Sequence, residues 1–418
     1  MKFKPNPLLY GANRDFLSTF RLAIRMKDEV DYDILSRSIN KAMVRYPYFC
    51  VFPEREGENL VLRFNKRPLP IFPDDRTVTL GSNDAGGHLI SFGCKDNTIF
   101  IDCSHYIADG MGIEPLMKSL LFLYVSERYS ADGFSTEQIR MPYSSVCDLE
   151  YAYPFPDRVI ESEELRKLPK GPEDVYGLDL SAFDEGGLYA YYLHIPQKEM
   201  MAKASTSDGS PVSFLSVLIY RALHRLDPNI DKPIVAHVQH QYRAALCVPI
   251  SHHSLVNYIS IDMPPRLSKW DVEKQNTVVR GQVILKGSKD ADISAVNRLI
   301  RAFTDKESFH DKTNAMTRYA AESIRGKTFG ISYVGKLDWC GLERYVDDFH
   351  AHIGEKYTKN MLLVEVMSVG EDFSLTLMQS GKGDRYLNAF IDEIRALGIP
   401  VRLVREGKYK LCDTDLLL

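Results

Sequence analysis

The side chains of this sequence best suited to chemistry are a histidine and an aspartate four residues apart. His105, Asp109 and Gly110 together form a His-x-x-x-Asp-Gly motif. An imidazole with its ordinary pKa of about 6.5 is mostly neutral near pH 7, so His105 is able to accept a proton. Asp109 is near enough either to orient that imidazole or to pair with a distant cation and brace the loop. Gly110 can take backbone angles that other residues avoid, which suits a tight turn with an available N–H.

The segments on either side predict where the motif sits. Residues 98–103 are rich in β-branched and aromatic side chains, and a turn at 95–97 joins them to an apolar run at 89–94. This pattern predicts a β-hairpin ending at His105, with Asp109-Gly110 starting a helix. A histidine at a strand end is often purely structural, so the motif alone leaves catalytic and structural interpretations open. The predicted helix carries a core-facing stripe of apolar residues at helical spacing, namely Ile113, Leu116, Met117, Leu120, Leu121 and Tyr124.

Further segments occur in an order typical of one protein family. With the His105 motif, they resemble the condensation-domain and chloramphenicol-acetyltransferase superfamily, which includes stand-alone alcohol acetyltransferases and polyketide-associated acyltransferases. The resemblance covers most of the chain. The matching segments are a strand over 20–24, a helix over 35–46 stopped by Pro47, a helix over 212–223, a strand over 235–243 that ends in Arg243, and short elements at 256–260 and 330–335.

The resemblance implies a role for each residue of the motif. Family members bind an acyl thioester and a nucleophilic acceptor at opposite mouths of a tunnel between two lobes, with the motif histidine midway. His105 would then be the general base. Asp109 resembles the family aspartate that pairs with an arginine from the other half of the fold, for which Arg243 is the match. The Gly110 backbone and Ser332 are candidates for contacting the oxyanion or the substrate.

Two positions depart from the family pattern. Many members carry a second histidine at the position of Ser104, although the histidine assigned to catalysis is the one retained here as His105. Tyr333 stands where asparagine is common in a Ser-Asn-x-Gly element. The first departure blurs which branch of the superfamily the chain belongs to. The second weakens any assignment of hydrogen-bond donors to that segment.

The implied activity is acyl transfer to a small alcohol or amine acceptor. Acyl-coenzyme A or acyl-phosphopantetheine would be the co-substrate, with no metal and no permanently bound cofactor. An acyl carrier protein is then a candidate partner. Two alternatives stay open, which are amide-forming condensation on carrier-bound substrates supplied in trans and a non-catalytic member that only binds a carrier or small molecule.

The length of the chain and the position of its proline- and glycine-rich stretch predict two lobes. The 418 residues exceed what one hydrophobic core usually organises. Strands and helices mix throughout, which predicts layered α/β (α+β) lobes with a tunnel at their interface. A stretch rich in proline, glycine and charge predicts a connector. We expect an N-terminal lobe at 1–165, a connector at 166–187 and a C-terminal lobe at 188–418.

Composition argues against several classes of binding partner and several cellular locations. A net charge of −4 and scattered basic residues give no reason to expect nucleic acid as a partner. The first residues lack the apolar region of a secretion signal, and no run approaches the roughly 20 apolar residues that span a bilayer. Seven cysteines without a Cys-x-x-Cys pair favour reduced thiols. We therefore expect a cytoplasmic monomer without integral membrane association.

Three pairs of nearby histidines could suggest a metal site, but the residues around them argue against it. His237 and His240 lie three apart on a predicted strand, whose alternation points them to opposite faces. His252-His253 and His350-x-His352 lack a carboxylate or cysteine partner at recognisable spacing, so we interpret both as solvated or structural. The glycine-rich segment 330–336 lacks the Ser or Thr of a phosphate-binding loop after its lysine.

Overall fold

The protein folds into three β-sheets covered by helices. A computed structural model of the chain describes residues 2–12, 19–130, 132–161, 171–180, 184–353, 361–412 and 414. The helices of this part are α1 (Tyr32–Met43), α2 (Gly110–Tyr129), α3 (Asp148–Tyr151), α4 (Gln197–Ala204), α5 (Pro211–Leu226), α6 (Val272–Lys286), α7 (Lys289–Thr304), α8 (Phe309–Ile324) and α9 (Arg385–Ala396).

The strands follow the chain in fifteen described segments. They are β1 (Lys2–Phe3), β2 (Thr19–Met26), β3 (Val51–Glu56), β4 (Asn59–Phe64), β5 (Ile71–Phe72), β6 (Ile90–Lys95), β7 (Thr98–Ser104), β8 (Asp184–Pro196), β9 (Ile234–Gln241), β10 (Val256–Met263), β11 (Phe329–Tyr333), β12 (Val346–Ile353), β13 (Leu362–Val369), β14 (Asp372–Lys382) and β15 (Arg402–Lys408). A small sheet has the order β1-β4-β3, and two larger sheets build the lobes.

The first large sheet has the order β12-β2-β7-β6-β5. The predicted hairpin is present as the antiparallel pair β6–β7. β12 belongs to the second half of the sequence, yet it pairs antiparallel with β2, placing His352 opposite Arg21. The C-terminal half thus contributes a strand to the sheet that carries the motif.

The second large sheet has the order β10-β9-β11-β13-β14-β8-β15. β11 lies between β9 and β13 and is parallel to both, whereas the other neighbouring pairs are antiparallel. Register brings Gly330 of β11 beside His237 of β9, and Ser332 of β11 beside Glu365 of β13. Residues far apart in sequence therefore share one face of this sheet.

Two large hydrophobic cores match the two sheets. The first holds the buried faces of α1 and α2, and it also takes Leu299 of α7 and Met316 of α8. The second lies between the seven-stranded sheet and the helices α5 and α9. The predicted lobe boundaries stay a prediction, and much of the predicted connector, residues 166–170 and 181–183, lies outside the described residues.

The opposite face of the seven-stranded sheet meets β12 through an apolar cluster and a set of buried polar residues. Asp348 of β12 accepts a hydrogen bond from Ser374 of β14 at 2.6 Å, and its other oxygen lies 2.5 Å from His350 Nε2. The hydroxyl of Tyr192 on β8 lies 2.7 Å from His352 Nε2. His350 and His352 are both buried. Of the two interpretations of this pair, the structural one therefore holds and the solvated one is wrong.

Helix α2 begins where the motif predicts. Asp109 is its N-cap residue, and the carboxylate accepts a hydrogen bond from the Gly112 N–H at 2.8 Å. Such a cap satisfies one of the otherwise unpaired N–H groups of the first turn. The side chains of the predicted apolar stripe are all buried. Within the described residues, no helix has both the length and the hydropathy needed to cross a membrane.

Candidate functional site

His105 follows the last residue of β7, where the chain leaves the sheet towards α2. Its ring is half-buried, and it contacts the Phe20 ring edge-on with the centroids 5.0 Å apart. Its Nδ1 lies 3.3 Å from the hydroxyl oxygen of Ser254. The ring is thus held on one side by an aromatic residue and on another by a hydroxyl.

The His105 ring lines a cavity of about 580 Å³ that both halves of the chain enclose. Tyr106 contributes with it from the first half, and Tyr242, Ser254 and Tyr258 contribute from the second. Helices α7 and α8 complete the wall through Leu299, Ala302, Met316, Tyr319, Ala320 and Ser323. A cavity of this size accommodates a small organic molecule or the reactive arm of a larger one.

The surroundings of His105 favour its neutral form. Burial lowers the pKa of the imidazole, because taking a cation out of water is costly. The negative charge of Asp109 and backbone hydrogen bonds at His105 and Ala108 partly offset that shift. A neutral imidazole has one nitrogen free to accept a proton, as a general base requires.

Asp109 and Arg243 form a buried, two-pronged ion pair. Arg243 Nη2 lies 2.7 Å from Asp109 Oδ1, and Nη1 lies 2.8 Å from Oδ2. The side chains are 4% and 2% exposed. The second oxygen also accepts a hydrogen bond from the Leu255 N–H at 2.9 Å. Both carboxylate oxygens are therefore engaged, and the carboxylate is oriented towards Arg243 and the start of α2.

The loop before β10 connects this ion pair to His105. Arg243 donates hydrogen bonds to the carbonyls of Ser251 and His253, at 3.1 Å and 2.8 Å. Ser254, which contacts His105, comes next in the chain. Ser254 was not predicted as a site residue, because a serine before a strand belongs to no recognisable sequence motif. Its role as the neighbour of His105 depends on this long-range loop packing.

Gly110 and Ser332 line other cavities than His105 does. Both border a space of about 70 Å³ together with Asp109 and Arg243. Ser332 Oγ donates a hydrogen bond to Gln239 Oε1 at 2.6 Å, so its proton is already committed. The structure therefore brings His105, Asp109, Gly110 and Arg243 to one loop and places Ser332 on the neighbouring sheet.

Basic side chains lie at the outer end of the His105 cavity. Arg298 and Arg301 of α7 are exposed there, and Lys327 is half-buried. Glu322 is the acidic residue among the described lining residues. The local charge balance is therefore positive, which suits a ligand that carries phosphate.

The other histidine pairs singled out in the sequence are packed into the protein. His252 and His253 are 6% and 2% exposed, with their rings in edge-to-face contact, so the structural interpretation of this pair holds and the solvated one is wrong. His237 stacks on Tyr258, whereas His240 lies 3.1 Å from Asp292 of α7, which places the two on opposite faces as predicted. The described residues contain no group of three or more His, Cys, Asp or Glu arranged to hold a metal ion.

Comparison with known proteins finds its matches among solved structures. Neither the protein-family models nor the curated proteins yield a match. F. graminearum TRI101, complexed with coenzyme A and deoxynivalenol, is 12% identical with a TM-score of 0.59, over 95% of this chain and 97% of that one. Polyketide synthase associated protein 5 from Mycobacterium tuberculosis is 11% identical with a TM-score of 0.60, over 94% and 96%.

A third similar structure is a condensation domain that mediates chain release from the enacyloxin polyketide synthase. It is 14% identical with a TM-score of 0.51, over 95% of this chain and 83% of that one. Likeness at such low identity identifies a fold. The fold implied by the resemblance is confirmed at this level, because the chain shares the two-lobed α/β fold of these acetyltransferase and condensation-domain structures.

Proposed function

We propose that the protein is an acyltransferase that moves an acyl group from a coenzyme A or carrier-protein thioester to a hydroxyl or amine acceptor. His105 is the general base of this proposal. The observation that carries it is the neutral, half-buried His105 ring on the wall of a cavity that both halves of the chain line. A base at such a place meets an acceptor and a donor that approach from different directions.

The proposed reaction needs one proton acceptor and no covalent enzyme intermediate. His105 Nε2 takes the proton of the acceptor hydroxyl or amine while its oxygen or nitrogen attacks the thioester carbonyl carbon. The carbonyl oxygen becomes an oxyanion, which collapses and expels the thiolate. The imidazolium then returns the proton to that thiolate, and an ester or amide and a free thiol are the products.

Asp109 and Arg243 are positioning residues in this proposal. Their ion pair joins the start of α2 to the loop that carries Ser254, so it holds the two segments that flank His105. Gly110 belongs to the same support because it opens α2. Ser332 and the Gly110 N–H stay candidates for contacting the substrate or the oxyanion, and the cavity with Arg243 in its wall is where they would act.

Two further observations support a phosphate-bearing thioester as the donor. The outer end of the His105 cavity carries Arg298, Arg301 and Lys327 against one carboxylate, Glu322. F. graminearum TRI101, which shares the fold, has been crystallised with coenzyme A. Both coenzyme A and the phosphopantetheine arm of a carrier protein present phosphate to such a surface.

Thiol release tests the proposal directly. The full chain is incubated with acetyl-coenzyme A and a panel of alcohols and amines, and free thiol is followed over time. We expect His105→Ala to lose about 10²- to 10⁴-fold in turnover, the usual contribution of a general base. His310→Ala, which changes an exposed histidine of α8, is the matched control and should keep the parent rate.

The same assay separates the donors. Replacing acetyl-coenzyme A by an acetylated carrier protein distinguishes a coenzyme A enzyme from one that acts on carriers in trans. A His105→Ala variant that turns over as fast as the parent protein would disprove the assignment of the base.

A further inference from the structure

A small cavity next to the His105 cavity is lined by five polar residues together with apolar ones. It measures about 10 Å³, and its polar residues are His237, Gln239, Tyr258, Ser332 and Glu365. Tyr258 also lines the His105 cavity. Gln239 and Ser332 also line the cavity bordered by Asp109 and Gly110. The small cavity therefore shares walls with both larger spaces.

His237 has hydrogen-bonding capacity that the described chain does not use. The residue is 2% exposed, and neither ring nitrogen has a hydrogen-bond partner among the described residues. Burial lowers its pKa to about 3, so the ring is neutral and offers one donor and one acceptor. Leaving a buried polar group unpaired costs about 1–3 kcal/mol. A cost of this size at an internal cavity points to a ligand group that satisfies the ring.

Tyr258 holds that ring in place. The two rings are stacked with centroids 4.2 Å apart and planes inclined by 17°. Because Tyr258 comes from β10 and His237 from β9, the stack spans two neighbouring strands. The edge of the imidazole, which carries both nitrogens, is therefore held in a defined orientation at the cavity.

Glu365 differs from the other buried carboxylates of the chain. It is 4% exposed and makes no ion pair with a described lysine or arginine. Burial raises its pKa to about 8, while a hydrogen bond with Ser332 partly offsets that shift. The carboxyl is thus mostly protonated at pH 7 and is able to donate a hydrogen bond. The other buried carboxylates have basic partners: Asp102, Asp109, Glu150 and Glu393 pair with arginines, and Asp292 and Asp348 contact histidines.

Size and charge restrict what this cavity can bind. A space of about 10 Å³ is near the lower limit for a single water-sized group. A phosphate or a carboxylate is too large for it. His237 and Glu365 are both uncharged at neutral pH, so they offer no counter-charge to an ammonium group. A neutral hydroxyl fits both the volume and the mixture of donors and acceptors.

We propose that His237 and Glu365 bind one hydroxyl group of the acceptor, so that the preferred acceptor carries a second hydroxyl besides the one that is acylated. This inference rests on the proposed function and names its acceptor class as a diol or polyol. The bound hydroxyl donates to one nitrogen of His237 and accepts from Glu365. An acceptor without that hydroxyl leaves the His237 ring unpaired, which lowers its affinity.

Matched acceptors test the proposal. Acetyl transfer from acetyl-coenzyme A is measured for the diols from 1,3-propanediol to 1,6-hexanediol and for the 1-alkanols of the same lengths. We expect the parent protein to favour at least one diol over its alkanol by about tenfold in kcat/KM, the equivalent of about 1.4 kcal/mol. His237→Phe should bring that ratio close to one, and Glu365→Gln, which keeps a donor and an acceptor, should retain most of it.

A matched control separates the subsite from a general packing effect. His224 of α5 is a half-buried histidine whose Nε2 also has no hydrogen-bond partner among the described residues, and it lines none of the three cavities. His224→Phe should leave the diol-to-alkanol ratio unchanged. A ratio that falls equally in His224→Phe and His237→Phe contradicts the proposal.

A second measurement does not depend on turnover. Nitrogen-15 NMR of histidine-labelled protein, with the His237 signals assigned by their loss in His237→Phe, is recorded during titration with the same diols. Movement of the His237 signals, with the His224 signals unchanged, is the expected result. It stands even if no acceptor is acylated, in which case the proposed function fails and the hydroxyl subsite remains. Unmoved His237 signals overturn the subsite whatever the turnover, and the cavity then holds only water.

Discussion

Arg243 and Asp109 meet through two parallel hydrogen bonds of 2.7 Å and 2.8 Å, although 134 residues separate them in the chain. The guanidinium also holds the carbonyls of Ser251 and His253, and the carboxylate also accepts the Leu255 N–H. One ion pair thus joins the start of α2 to the loop before β10. His105 lies between these two segments, so its position depends on their relative placement.

Removing one charge of this pair should destabilise the fold strongly. Asp109→Asn leaves Arg243 buried beside a neutral group, and breaking a buried pair in this way costs about 3–5 kcal/mol. Urea unfolding followed by circular dichroism measures the loss. Glu127→Gln breaks the exposed contacts with Arg37 and Lys41 and is the matched control, expected to cost far less. Equal and small losses in the two variants would contradict the bracing role.

Alanine substitution should have opposite effects on stability at two glycines. A Cβ at Gly112, in the first turn of α2, would overlap the His252 carbonyl. Gly112→Ala must displace the loop before β10. We expect the free energy of unfolding to fall by about 3 kcal/mol or more, together with a large loss of acyl transfer. Gly281, inside α6, has open space around its Cβ position. Gly281→Ala should stabilise the protein by about 0.5–1 kcal/mol in thermal unfolding. A neutral Gly112→Ala variant would show that the loop has room to move.

The raised pKa of Glu365 predicts a pH dependence of stability with a definite sign. The unfolded carboxyl ionises near pH 4.5, whereas burial keeps the folded one protonated up to about pH 8. Between these values the unfolded state binds fewer protons, so stability falls as pH rises. His237 acts in the opposite direction, because burial lowers its pKa to about 3, but its contribution ends near pH 6.5. Other buried histidines act in the same direction as His237, and a comparison with a variant that lacks only the Glu365 carboxyl cancels their contribution.

Comparison with Glu365→Gln measures this contribution. Over pH 6.5 to 8, the parent protein should lose about 2 kcal/mol of unfolding free energy relative to the variant, since 1.5 pH units correspond to that amount. Glu127→Gln serves as the control, because ion pairing lowers the pKa of Glu127 and keeps it ionised throughout this interval. Parallel pH profiles for the parent and Glu365→Gln would mean that Glu365 is already ionised in the folded protein.

Local patterns in the sequence were enough to predict the elements around His105. The β6–β7 hairpin, the start of α2 and its buried stripe follow from alternation, helical spacing and a capping aspartate. β12 was not predicted. Seven of its eight residues are buried, and polar residues are among them, so its sequence lacks the simple polar–apolar alternation of a strand with one exposed face. Helix α8 was also missed, since polar residues outnumber its apolar ones. Both elements line or border the space between the lobes.

The polar cavity around His237 depends on strand register and was therefore beyond local prediction. His237, Ser332 and Glu365 lie on β9, β11 and β13, and they share a face only because of the parallel pairing of these strands. Glu365 interrupts an apolar run at 361–367, but nothing in that run identifies the residues that lie beside it in the sheet. Arg243 was different, because a family resemblance supplied its partner. Ser254 had neither a local pattern nor a family motif to mark it.

The positive outer end of the His105 cavity predicts how the donor is recognised. Replacing Arg298 and Arg301 together by Gln should raise KM for acetyl-coenzyme A about tenfold at low salt and change kcat little, because exposed cations attract the phosphates without touching the reacting carbonyl. The difference should shrink at high ionic strength, where such charges are screened. S-acetylpantetheine lacks the phosphates, so its KM should not change in the variant.

Arg318 of α8 gives the matched control for these charges. It is exposed, it hydrogen-bonds the Asn314 carbonyl, and it does not line the cavity. Arg318→Gln removes one exposed positive charge and should leave KM for acetyl-coenzyme A unchanged. If KM for acetyl-coenzyme A and S-acetylpantetheine rises by the same factor in the double variant, the arginines act by shaping the cavity. The phosphates must then bind elsewhere, which would place the donor in the smaller cavity bordered by Gly110 and Arg243.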